Sequence, residues 1–169
     1  PQIWHWSVLP EFWWMVGHWC SRGTLESILG VNVVNFESHT NQENALIEQA
    51  FDVLKLSSIN RIETSTAQRK TFRVVMDSDL VQFLRTFISQ DSNKFSRRLP
   101  AMIFHLAPEL KQQFILGYIG RDYVSAMGTS QLISSDSRRF LVEMNYLCCS
   151  AFNRPLFDGM IFSDLNFGS

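Results

Sequence analysis

The sequence predicts an α+β fold. Apolar residues recur at helical spacing in some stretches, and runs rich in Val, Ile and Phe lie between them. The order helix, strands, helix then starts again about one hundred residues along the chain. Pro10 followed by the dense apolar stretch Phe12–Trp19 reads as a helix apolar on nearly every side and therefore buried, ended by Gly23 and Thr24. Leu25–Phe36 reads as one or two strands broken at Gly30. Asn41 is placed to cap a helix with Ala45, Leu46, Ala50, Phe51, Val53 and Leu54 at helical spacing. Two short strands follow, Ser58–Thr64 and Lys70–Met76, joined by the polar turn Ser65–Arg69. Asp77 or Ser78 caps the next helix, and a polar loop, Ser89–Arg98, leads to a short helix over Met102–Phe104. From Ala107 the pattern restarts: a helix over Glu109–Arg121, a strand region at Val124–Ile133, and a helix from Asp136 to about Ala151. Met160–Phe162 reads as a further strand.

The chain is long enough for one compact domain or two small halves sharing a core, and 46% apolar residues suffice to bury one. The net charge of −1 hides a gradient. Residues 1–60 carry two bases against six acids, whereas residues 61–98 carry eight bases against four acids. A basic middle on a neutral chain permits phosphate contact without demanding it. Cys20, Cys148 and Cys149 are too few and too badly spaced for a disulfide framework or a zinc site, which suits an intracellular, reducing compartment. The four histidines show no ligand spacing. Trp4–Trp19 is too short and too polar to span a bilayer and lacks the features of a signal peptide, so no membrane partner is expected.

Laying Glu11–Gly23 over Lys111–Tyr123 aligns Gly17 with Gly117, Met15 with Ile115 and Trp19 with Ile119, with a proline ahead of each segment. A glycine inside an apolar helix costs about 1 kcal/mol relative to alanine. Close packing supplies a reason for it: without side chains, two helix backbones can approach more closely than the usual ~8–10 Å. The expectation is that these two helices pack on each other about a pseudo-two-fold axis.

These residues carry a family resemblance. "FWWMVGHWCSRG" and "FILGYIGRDY" resemble the two motifs of LAGLIDADG homing endonucleases, an apolar run with a glycine and a closing Asp-Gly. "NKFSRRLP" resembles the basic segment that intein-borne members carry before the second motif. "LAPELKQQFILGYIGRDY" fits the Pro-Glu helix start of that motif, and "LISSDSRRFLVEMNYLCC" the Ser-Ser segment after it. The resemblance spans roughly Leu9–Phe152.

It implies two pseudo-symmetric αββαββα halves, residues 1–106 and 107–169, whose antiparallel sheets form a saddle over the DNA major groove. With 47 residues after Asp122, the second half is expected to lack some of its later strands. The implied partner is double-stranded DNA with a long recognition site, bound by a monomer. Within the hairpin Ile59–Met76 the candidate DNA contacts are Arg61, Gln68, Arg69, Lys70 and Arg73, with Arg98 beyond it.

The resemblance also implies a Mg²⁺ ion held by the acid that closes each motif, since phosphodiester hydrolysis needs a metal to activate water and absorb charge. The second motif keeps its acid, Asp122; the first has Arg22 in its place. Arginine has no lone pair to offer a metal, so Arg22 is expected to pair with Asp122 or to contact a phosphate. Glu26 substitutes for the lost acid only if its loop folds back. The family's lysine before the second motif aligns with Arg97, with Lys94 the nearest lysine. The resulting expectation is a DNA-binding homing-endonuclease domain with impaired cleavage. The alternatives are a catalytically dead nucleic-acid-binding module, such as an intron maturase, and a purely structural domain. The chain shows neither a nucleophilic Cys or Ser start nor a His-Asn end, so splicing would fall to a flanking protein-splicing domain.

Overall fold

Proline at the first turn leaves no backbone donor stranded and presets the helical φ. Helix α2 (Pro10–Arg22) follows a short α1 (Gln2–Trp6) that the sequence reading does not anticipate, and every residue from Phe12 to Cys20 is buried. The computed structural model describes residues 2–56, 58–63, 69–88, 97–120 and 138–152. The chain leaves α2 directly into strand β1 (Gly23–Ile28), which pairs antiparallel with β2 (Val31–Ser38). Leu29 and Gly30 make the turn, both at positive φ (52° and 81°). That combination matches the twist of a two-residue hairpin. The break expected at Gly30 is this turn.

Helix α3 (Asn41–Leu54) is capped by Thr40, not Asn41: the Thr40 hydroxyl accepts from the Glu43 N–H at 3.1 Å. Strands β3 (Ser58–Glu63) and β4 (Lys70–Val75) complete a four-stranded antiparallel sheet in the order β1-β2-β4-β3. Asp77 caps α4 (Ser78–Arg85) through a bond from the Leu80 N–H. From α2 to α4 the element order is αββαββα. Val34, Phe36, Phe72 and Val74 turn to the helices and join the core, so their strand neighbours Val33, Asn35, Arg73 and Val75 share the outward face.

A 3₁₀ turn (Ala101–His105) leads to α5 (Pro108–Ile119), and α6 (Arg138–Phe152) packs on α5. Helix α5 ends two residues earlier than its reading from sequence. Gly120 stops it in the left-handed region (φ 76°), its N–H bonding to Leu116 and Gly117 carbonyls. The strand regions read at 124–133 and 160–162 lie outside the described residues. One apolar core takes residues from both segments of the chain, Phe12–Trp19 and Phe114–Leu116 among them.

The pairing of α2 with α5 sits at its centre, and the two glycines set it. A Cβ on Gly17 would lie 1.9 Å from the Phe114 carbonyl oxygen and 3.0 Å from the Tyr118 nitrogen. A Cβ on Gly117 would lie 1.9 Å from the Trp14 oxygen and 3.0 Å from the His18 nitrogen. The contacts are reciprocal at an offset of one hundred residues: 17 meets 114 and 118, and 117 meets 14 and 18. Because the obstructing atoms are backbone, no side-chain rotation relieves an added methyl; the helices must separate.

Gly17→Ala and Gly117→Ala are each expected to cost about 3 kcal/mol, the upper end of overpacking, and to lower Tm by roughly 6–12 °C. One separation accommodates both methyls, so the double variant should lose at least about 1 kcal/mol less than the two losses added together. Denaturant melts of the four proteins check this, and strict additivity would mean the glycines do not face a common interface.

Candidate functional site

Three helix ends converge beside the α2–α5 pair. Arg22, the last residue of α2, places its guanidinium Nη1 on the Glu43 carboxylate at the start of α3. The other Glu43 oxygen accepts the His39 N–H at 2.7 Å. The third end is that of α5: a Cβ on Gly120 would lie 2.6 Å from Glu43 Oε1 and 3.4 Å from Arg22 Nη1, so a side chain there would displace the ion pair. Glu43 is 5% exposed and Arg22 29%. Sequence reasoning missed Glu43. Its signal was present in Thr40-Asn41-Gln42-Glu43, a hydroxyl cap with an acid three residues on that reaches back to the helix start.

The described partner of Arg22 is therefore Glu43; Asp122 and Lys94 lie outside the described residues. Glu26 does not fold back. It stands exposed in β1, opposite Val33.

Arg97 occupies a place that its sequence alignment did not suggest. Its Nε donates to the Cys20 carbonyl at 3.0 Å, and Nη2 donates to Gly23 at 2.6 Å and Trp19 at 3.4 Å. Its guanidinium lies 4.1 Å from the centre of the Trp19 ring. A helix ends with carbonyls lacking intrahelical partners, and a positive charge there also opposes the helix dipole. Arg97 thus caps the C-terminus of α2 from across the chain. The adjoining bridge between Ile88 and Arg97, and the bond from the Arg98 N–H to Phe87, hold it there.

Mg²⁺ does not fit the first-motif end. Arg22 cannot ligate it, and both Glu43 oxygens are engaged by Arg22 and His39. Burial pushes the Cys20 thiol up to about 12, which leaves it a neutral core group. Among the described residues no three His, Cys, Asp or Glu side chains gather as a metal site.

His18 is fully buried, stacked on Trp14 with ring centres 5.2 Å apart, and bonded through Nε2 to the Glu37 carbonyl at 2.7 Å. A carbonyl only accepts, so Nε2 carries the proton. Burial lowers the pKa of His18, with the bond to Glu37 and the charge of Glu43 opposing that shift.

On the outward face of the sheet one row runs Thr24, Asn35, Arg73. Asn35 Nδ2 donates to Thr24 Oγ1 at 3.0 Å, while Asn35 Oδ1 and Arg73 Nε are buried without a hydrogen-bond partner. Arg69 is exposed at the approach to β4, and Lys70 begins that strand, opposite Ser38 and Glu63. Arg98 is exposed, its Nε bonded to the Thr86 carbonyl. Arg61 pairs with Phe72 in register, and Gln68 lies outside the described residues. Glu26 and Glu37 share the outward face with Arg73, so this face is mixed in charge rather than uniformly basic. No helix among the described residues is long and apolar enough to cross a membrane. Comparison of the chain with protein-family models and with curated proteins found no match.

Arg97→Ala is expected to destabilise the fold by about 3 kcal/mol, because three carbonyls lose a charged donor and Trp19 loses its cover. Arg97→Lys should restore less than half of that, since lysine lacks the fork. Full recovery by lysine in urea melts would contradict the capping role.

The lowered pKa of His18 also sets a pH dependence. The unfolded chain takes up the proton at about 6.5 and the folded chain only at lower pH, so stability falls as pH drops below about 6.5. Urea midpoints between pH 8 and pH 5 should show this slope, flattened in His18→Gln. An identical slope in that variant would assign it to other groups.

Proposed function

We propose that the chain is a double-stranded DNA-binding domain of the LAGLIDADG homing-endonuclease kind, of the intein-borne type, in which the first motif has lost its cleavage chemistry. The reciprocal contact of Gly17 and Gly117 carries the reading: two apolar helices that the sequence aligns at one hundred residues meet backbone to backbone. The αββαββα order and the β1-β2-β4-β3 sheet of the first half agree with it. Helix α6 packs on α5 as α3 packs on α2, which supports pseudo-symmetric halves at residues 1–106 and 107–169. DNA would lie along the outward face of the sheet, with Arg73 as the donor for base edges and Arg69 and Lys70 for phosphates.

The ion pair of Arg22 with Glu43, and the use of Arg97 as a helix cap, favour binding without strand cleavage. Both groups are committed to protein partners at the place where the chemistry would be done. A catalytically dead DNA-binding module is thus the form of the function with the most support.

Selection from a random duplex library should enrich one long site. Affinity for that site should fall steeply as salt rises, because Lys and Arg bound to phosphates release counterions, and Arg69→Ala should remove about one unit from the log–log slope. Arg73→Ala should instead relax sequence preference and leave the slope nearly unchanged. Mg²⁺ should produce no double-strand break. Failure to enrich any site, or a salt-independent affinity, would refute the reading.

A further inference from the structure

The convergence of three helix ends around Glu43 has its own electrostatic logic, independent of DNA. The C-termini of α2 and α5 both point partial negative charge toward this place, each equivalent to roughly half an elementary charge, and at the α2 end Arg97 meets part of it. The Glu43 carboxylate adds a full one and is almost wholly out of water. Buried charge of one sign is strongly unfavourable unless a counter-charge meets it directly. The positive end of α3 and the His39 N–H offset part of this. The direct counter-charge to the Glu43 carboxylate is Arg22, which reaches it from the end of α2 and touches the space beside Gly120.

From this we infer that the Arg22 guanidinium is a resident cation, tethered where a multivalent metal ion would otherwise be drawn in by Glu43 and the two helix ends. The protein supplies its own positive charge at the junction and so closes it to metal. With Arg22 replaced by an acid, the same place becomes a site for a hard, oxygen-seeking cation. The Glu43 carboxylate and the introduced one would be its ligands.

The test uses Tb³⁺ as the probe, its emission excited through the tryptophans, of which Trp19 lies in the same last turns of α2 as Arg22. The wild-type chain should show only weak binding that Glu43→Gln leaves unchanged. Arg22→Asp should bind at least tenfold more tightly, and Arg22→Asp with Glu43→Gln should fall back to the wild-type value. Equal affinity of the wild type and Arg22→Asp would overturn the inference, as would tight binding by Arg22→Asp that survives loss of Glu43. If Arg22→Asp does not fold alone, adding Tb³⁺ should restore its helical circular dichroism; a chain still unfolded at saturating ion also overturns it. None of these outcomes depends on DNA, so DNA binding can fail separately.

Discussion

Backbone contact between α2 and α5 is the constraint on which the rest of the structure depends. Two helices with ordinary side chains facing each other would stand about 8–10 Å apart, and these cannot, because each carries a glycine against the other's carbonyl. The burial of Trp13, Trp14 and Trp19 follows from this approach. With one helix face given to backbone contact, their indoles fill the remaining faces against α3, α4 and the sheet. The apolar run from Phe12 to Trp19 is thus the sequence of a central helix, covered on all sides by its own chain.

Close approach has an electrostatic consequence. Helices brought together so tightly at matching positions also bring their ends together, and ends of like polarity need a counter-charge. The chain answers with two arginines in different ways. Arg97 spends its donors on the last carbonyls of α2 and stacks on Trp19, and Arg22 neutralises the Glu43 carboxylate in the first turn of α3. Both are structural cations at a place where the family resemblance implies chemistry. Each arginine takes the partners that its own donors fit.

Much of the first half was legible in the sequence. The two strands around Gly30, the hairpin before Met76 and the cap at Asp77 follow from local rules of turn and cap, and the approach of Gly17 to Gly117 follows from the internal alignment of two apolar helices. Thr40 and Asn41 are both good caps, and only the hydrogen bond to the Glu43 N–H distinguishes them. The early end of α5 at Gly120 was readable in principle, since glycine favours the left-handed stop, but the apolar pattern runs through it. The partners of Arg22 and Arg97 were not legible. Glu43 is 21 residues from Arg22, and the Trp19–Gly23 carbonyls are more than 70 residues from Arg97; no spacing rule connects them. Pairings of that range are set by the tertiary fold.

The most direct measurement of the central contact is a set of proton–proton nuclear Overhauser effects in a labelled sample, read at the Hα protons of Gly17 and Gly117. Helices in backbone contact should give cross-peaks from Gly17 Hα to protons of Phe114 and Tyr118, and from Gly117 Hα to those of Trp14 and His18. Sharp Hα resonances from both glycines with no cross-peak between the two segments would show the helices standing apart and would contradict the account.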